Sequence, residues 1–201
     1  MFFIEELKEY DLILASRSPR RRQLLADCGL EFSLAGDYEV VEEYPRALPV
    51  DEVAAFLSRL KSEAYPEPLG GKDILITADT VVIADGRILG KPAGRETALD
   101  MLRSLSGRSH SVITGVTLRN GSRSRTFDSR TKVFFKQLSD EEIDYYVDRY
   151  RPYDKAGAYG IQEWIGYVAI ERIEGSFYNV MGLPVQKLLT ELEVFIELKE
   201  K

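Results

Sequence analysis

Apolar residues recur at helical spacing in five stretches of the chain. Val53, Phe56, Leu57, Leu60 and Ala64 make one face, and Ala98, Met101, Leu102 and Leu105 make another. Ile143, Tyr146, Val147 and Tyr150 make a third, opened by the capping box Ser139…Glu142. Val185, Leu188, Leu189, Leu192 and Ile196 make a fourth, entered through Pro184. The fifth follows Ser18, a natural N-cap, and Pro19, a natural first helical residue. Leu24, Leu25 and Cys28 supply its buried face, and Gly29 ends it.

Between these helices the pattern turns strand-like, over residues 12–15, 74–77, 80–84, 111–119, 125–137 and 167–173. Asp85-Gly86 and Asn120-Gly121 each sit between alternating apolar runs and signal hairpins. The prediction is an α/β fold: a mixed twisted sheet with antiparallel hairpins and flanking helices, not a clean βαβ ladder. No repeat, low-complexity tract or long Gly/Ser linker marks a boundary. With 201 residues, 44% of them hydrophobic, the expectation is one globular domain over 1–201.

Composition removes several function classes. The net charge of −6 argues against a general nucleic-acid binder, so the arginines near the start of the chain must act locally. One cysteine excludes an intrachain disulfide and points to a reducing compartment; Cys28 reads as a small core residue. No run approaches the roughly 18 apolar residues a membrane span needs. Residues 1–10 are acidic-amphipathic without the basic region of a signal peptide, so a cytoplasmic enzyme is expected.

Three stretches carry the candidate chemistry. In the first, an apolar strand ending at Ala15 runs into Ser16-Arg17-Ser18-Pro19-Arg20-Arg21-Arg22 and a helix. A helix N-terminus presents free N–H groups and partial positive charge. Arg20 and Arg21 in the first turn oppose the dipole, and the simplest reason to place them there is an anion such as a polyphosphate. In the second, Asp79 lies within the apolar run 74–83. A lone carboxylate there is either a strand break turned to solvent, or a metal ligand or general base. Lys91, extended by Pro92, suits a phosphate or a solvated surface, and Lys61 on a helix flank is equally compatible with simple snorkelling.

The third stretch is Asp154-Lys155-Ala156-Gly157-Ala158-Tyr159-Gly160-Ile161-Gln162. Its small residues permit close approach of backbone or ligand, and the Gln162 amide offers a donor and an acceptor to a base edge. A tight strand crossing with an exposed Asp-Lys pair is the plain alternative. Gly175 to Pro184 reads as a Gly-rich loop feeding the last helix. Neither a phosphate-loop signature nor a dinucleotide fingerprint is present, and zinc spacing is missing. His110, the single histidine, reads as a structural strand-entry residue; Tyr146 reads as core, with Tyr145 on the flank.

Together these stretches resemble the Maf family of nucleoside triphosphate pyrophosphatases. The resemblance rests on Ser16-Arg17-Ser18-Pro19-Arg20-Arg21, Ala78-Asp79-Thr80, Gly90-Lys91-Pro92, Leu105-Ser106-Gly107-Arg108-Ser109-His110, residues 154–162 and Met181-Gly182-Leu183-Pro184. It implies two lobes around a deep cleft, often paired as a homodimer. It also implies hydrolysis of a nucleoside triphosphate to monophosphate and pyrophosphate with Mg²⁺ or Mn²⁺. By motif, Ser16, Arg20, Arg21, Lys61 and Lys91 would hold phosphates, and Asp79 would bind the metal or activate water. Arg20, Thr80 and Gln162 would set specificity. The form of residues 154–162 resembles the dTTP- and UTP-directed branch. One departure stands out: the family's usual glycine after the glutamine is replaced by Glu163, followed by Trp164. Two other functions fit the residues, a pyrophosphatase for modified or non-standard nucleotides and a nucleotide-binding regulatory module without turnover.

Overall fold

In the computed structural model, residues 3–197 are described. The strands are β1 (Asp11–Ala15), β2 (Ser33–Leu34), β3 (Asp73–Ala84), β4 (Arg87–Leu89), β5 (Ser109–Arg119), β6 (Ser124–Phe135) and β7 (Ile170–Glu174). The helices are α1 (Phe3–Leu7), α2 (Pro19–Asp27), α3 (Val53–Glu63), α4 (Arg95–Leu105), α5 (Asp140–Tyr150), α6 (Trp164–Val168), α7 (Phe177–Met181) and α8 (Val185–Glu197). The strand order is β2-β1-β3-β5-β6-β7, with β4 paired to β3. β1 is parallel to both β2 and β3, whereas β3/β4 and β6/β7 are antiparallel. The expected mixed sheet with flanking helices is therefore present. Residues 1 and 2 of the acidic-amphipathic start, and the last four of the expected 1–201 domain, lie outside the described residues.

The chain divides into two units. The first comprises Met1–Asp79, Thr114–Ser129 and Gly182–Lys201; the second comprises Thr80–Ile113 and Arg130–Met181. In the first unit, Leu12 and Leu14 of β1 and Ile74, Leu75 and Ile76 of β3 are buried, as are Leu25, Leu57 and Leu188 of α2, α3 and α8. This two-sided burial explains why β3 reads as a continuous apolar run rather than an alternating one. In the second unit, Leu99, Leu102, Ile143 and Val147 of α4 and α5 pack with Val112, Val133 and Phe135 of the sheet.

All five helices read from periodicity form. Ser139 caps α5 by the expected reciprocal bonds: its hydroxyl accepts from Glu142 N–H at 3.2 Å, and its own N–H donates to the Glu142 carboxylate at 2.9 Å. Asp85 and Gly86 take left-handed φ of 48° and 71° and join β3 to β4, as the hairpin signal requires. The Asn120-Gly121 loop closes differently, with Asn120 Oδ1 accepting from the N–H groups of Ser122 and Arg123 at 3.0 Å each.

Four local expectations change. The runs 74–77 and 80–84 are one strand, because the polar groups between them are bonded in place: Thr77 donates to the Ser58 carbonyl at 2.7 Å, and Asp79 is paired with a lysine. The strand expected from residue 167 begins at Ile170. Before it, the chain forms the short helix α6, Trp164–Val168. Part of the Gly-rich loop is the helix α7, held by the buried Asn179 amide donating to Val112 O and Thr131 Oγ1 at 3.0 Å each. Cys28 sits half-buried at the end of α2 rather than in the core.

Candidate functional site

Within the first unit, β1 runs beside β3 with Ala15 opposite Thr77. The loop leaving β1 therefore emerges next to Ala78 and Asp79. The carboxyl end of a parallel strand is the usual place for a ligand in such sheets. Ser18 occupies the N-cap position of α2, but its hydroxyl makes no capping bond. Ser16 does the organising instead. Its Oγ accepts from Ser18 N–H at 3.2 Å and from Arg21 Nη1 at 3.3 Å.

Arg21 is the brace of this loop. Nε donates to the Gly182 carbonyl at 2.7 Å and Nη1 to the Ala78 carbonyl at 2.9 Å. Burial pushes its pKa down from the ordinary guanidinium value, while the Asp79 charge acts in the opposite sense. The other arginines differ. Arg17 is exposed and paired with Asp37 at 2.9 Å, Arg22 reaches the Ser16 carbonyl at 3.4 Å, and Arg20 is half-buried in the first turn. The basic run thus has only some members directed at the loop.

Lys61, in the last turn of α3, joins two carboxylates. Its Nζ lies 2.6 Å from Asp79 Oδ1 and 3.1 Å from Glu42 Oε1. Tyr38 OH donates to the Lys61 carbonyl at 2.9 Å and fixes the turn that carries it. Asp79 is therefore neither a strand break nor turned to solvent; it stays in β3, buried and paired. Glu42 carries no signal of its own in the sequence. It lies in an irregular acidic loop where Glu39, Glu42 and Glu43 look alike, and no local pattern distinguishes the one that meets a lysine.

The other sequence-named residues belong to the second unit. Thr80 follows Asp79 in β3 and is half-buried; Lys91 is exposed between Gly90 and the buried Pro92. Gly157 N–H donates to the Gly90 carbonyl at 3.1 Å, which ties the 154–162 segment to the Lys91 turn. Gln162 is half-buried, yet its Oε1 is fully enclosed and without a hydrogen-bond partner.

Beside it, Glu163 turns inward. Its Oε1 lies 3.0 Å from Lys155 Nζ, its Oε2 accepts from the Tyr146 hydroxyl, and Lys155 also holds Asp154 at 2.7 Å. The plain alternative for this segment, an exposed Asp-Lys pair, is replaced by a buried lysine between two acids. Tyr146, expected as core, is fully buried but also carries a working hydroxyl. Trp164 packs edge-on against Tyr145 at 4.9 Å. His110 is structural: buried in β5, with Nε2 at 2.7 Å from Tyr159 OH, it has its pKa pushed down by burial to about 4.

Among the described residues no group of three or more His, Cys, Asp or Glu forms a ready-made metal cage. The donor set nonetheless fits Mg²⁺ or Mn²⁺ of a particular kind. Such ions are commonly held by one or two carboxylates plus substrate phosphates and water, and Asp79 supplies one carboxylate beside a cationic loop.

The Maf-like protein family matches residues 11–195 of the chain. A dTTP/UTP pyrophosphatase of Porphyromonas gingivalis is 54% identical over 196 residues, which cover 96% of this chain and 98% of that protein. A dTTP/UTP pyrophosphatase of Bacteroides thetaiotaomicron is 51% identical over 187 residues, covering 93% and 97%. Among solved structures, the Staphylococcus aureus Ham1 protein aligns over 91% of this chain and 98% of its own at a TM-score of 0.50. Its sequence identity of 15% makes this a likeness of fold alone. A family match that runs from the first residue of β1 into α8, with relatives about half identical along nearly their whole length, shows that the chain belongs to the Maf-like protein family.

Proposed function

We propose that the protein hydrolyses nucleoside triphosphates, dTTP and UTP foremost, to the monophosphate and pyrophosphate. It does so as a single 1–201 domain in the cytoplasm, without nucleic-acid or membrane partners and with a homodimer compatible with the family resemblance. The names of the relatives support the reaction. The observation that carries it is the Lys61 ammonium held between Asp79 and Glu42, next to the Arg21-braced loop. Cationic loop, enclosed carboxylate and lysine together suit a polyanionic substrate attacked by water.

Cleavage between the α and β phosphates requires in-line attack by water and stabilisation of charge on the leaving pyrophosphate. Lys61 engages Asp79 Oδ1 and so fixes the carboxylate plane. Asp79 orients the water and accepts its proton. Ser16, Arg20, Arg21 and Lys91 bind phosphate oxygens, Arg21 through the part of its guanidinium not spent on the loop. A divalent Mg²⁺ or Mn²⁺ ion, when bound by Asp79, supplies charge neutralisation on phosphate oxygens. Arg20, Thr80 and Gln162 set base preference. The Gln162 amide carries both a donor and an acceptor, which suits the carbonyl and imide N–H of thymine and uracil; the corresponding nitrogen of cytosine has no hydrogen.

The test is pyrophosphate release with Mg²⁺ or Mn²⁺ from dTTP, UTP, CTP, dATP, GTP, ITP and 7-methyl-GTP, with Asp79→Asn as control. Selective release from dTTP and UTP, lost in the variant, is the expected result. Release from another base overturns the role given to Gln162 and keeps the chemistry. Binding without any release favours a regulatory module.

A further inference from the structure

The turn that carries Gln162 is held from three directions within its own unit. Gly160 N–H donates to the Tyr146 hydroxyl oxygen at 3.0 Å, and Glu163 N–H donates to the Gly160 carbonyl at 3.0 Å. Gly166 presses from the far side: its N–H reaches the Glu163 carbonyl at 2.9 Å, and a Cβ placed on it would stand 1.7 Å from the Ile161 carbonyl oxygen. The third hold is the Glu163 carboxylate, one oxygen on Lys155 and the other on Tyr146.

These side chains meet over a single glycine. A Cβ on Gly160 would lie 3.0 Å from Glu163 Cδ and 3.1 Å from both Gln162 Nε2 and Lys155 Cε. The Lys155 side chain is only 9% exposed and that of Glu163 19%. An enclosed ion pair is poor at stabilising a fold compared with apolar packing of the same volume, whereas it is good at fixing one arrangement. Here the arrangement has a visible consequence. Lys155 is a strong donor close to Gln162, yet its ammonium is committed to Asp154 and Glu163, and Gln162 Oε1 keeps no internal partner.

We propose that Glu163 is a positioning residue for base selection: by holding the Lys155 ammonium and the Tyr146 hydroxyl together, it keeps the 160–162 turn, and the Gln162 amide at its end, in one conformation. This rests on the assignment of Gln162 to the base. Without the Glu163 carboxylate, Lys155 keeps Asp154 alone, the Tyr146 hydroxyl loses its acceptor, and the turn that carries the Gln162 amide loses one of its three holds. Glu163 itself touches no reacting atom.

The experiment compares Glu163→Ala, Glu163→Gln and Gln162→Ala with the wild-type protein, measuring kcat and KM for UTP and CTP together with the melting temperature. Glu163→Ala is expected to raise the KM for UTP and to shrink the UTP-over-CTP preference by about tenfold, with kcat falling far less than KM rises. Glu163→Gln retains an acceptor for Tyr146 and is expected to recover part of the preference. A purely structural role lowers the melting temperature without moving the ratio. The inference is overturned if folded Glu163→Ala keeps the wild-type ratio while Gln162→Ala loses it. If Gln162→Ala also keeps the ratio, the assignment of Gln162 falls and takes this inference with it. Should Glu163→Ala fail to fold, the ratio in Glu163→Gln decides.

Discussion

Two lysines in this protein are built alike and placed to opposite ends. Lys61, in the first unit, lies 2.6 Å from Asp79 and 3.1 Å from Glu42; Lys155, in the second, lies 2.7 Å from Asp154 and 3.0 Å from Glu163. The difference lies in what the carboxylates do with their remaining oxygens. Glu163 spends its second oxygen on Tyr146, and both acids of Lys155 come from the short segment it belongs to. The partners of Lys61 come from a buried strand and a half-exposed loop residue, Glu42, far apart in sequence. The closed triad spends both oxygens of Glu163 inside the fold; in the proposed function the open one leaves Asp79 for chemistry. On that proposal the same three charges make a scaffold or a reaction centre according to how many of their bonds stay inside the fold.

The largest effect that would break this comparison is loss of the Asp79 charge. Asp79→Asn keeps the shape of β3 and is expected to lower kcat by about 10³-fold in a pyrophosphate-release assay, with the melting temperature nearly unchanged. Near-normal turnover would remove the open triad from the mechanism.

Next in size is a pH effect in the second unit. An unfolded chain titrates His110 near its ordinary 6.5, and the folded protein near 4 because the ring is buried. Between those values the unfolded chain binds more protons, so stability present above about 6.5 declines as pH falls toward 4. The loss amounts to about 3 kcal/mol at most. Urea unfolding at pH 4 to 7, set against His110→Gln, measures it; an equal decline in the variant would assign the loss to other groups.

Smaller is the effect expected for Gly166→Ala. The new methyl must displace the Ile161 carbonyl, at a cost of about 2 kcal/mol in urea unfolding, with a raised KM for UTP. An unchanged KM would separate the turn from substrate selection. Smallest is Arg17→Ala, which removes an exposed pair with Asp37. Activity within about twofold of wild type is expected, because exposed pairs contribute little. A large loss would add Arg17 to the phosphate set.

What the sequence disclosed follows the length over which a pattern repeats. The faces of α3, α4, α5 and α8 each span three turns or so, and the Asp85-Gly86 turn needs two left-handed residues that few pairs supply. The elements that escaped are short: α6 and α7 have five residues each, too few for a period to show. Asp79 looked like an interruption because its partner, Lys61, lies on another element, and pairing is what lets a carboxylate remain inside a strand. The Ser16 loop was legible as a cationic turn. Its wiring was not, since Arg21 bonds carbonyls of Ala78 and Gly182 that have no sequence signature. Glu42 and the inward turn of Glu163 had no signal at all, for a charge in a loop looks the same whether it faces water or a lysine.

The most direct test sets Lys61→Met beside Lys155→Met and measures kcat and the UTP-over-CTP preference in kcat/KM for both. Lys61→Met should lose kcat by about 10²-fold with the preference kept. Lys155→Met should lose the preference, with a much smaller fall in kcat. The same profile in both variants, or the reverse assignment, would contradict the account.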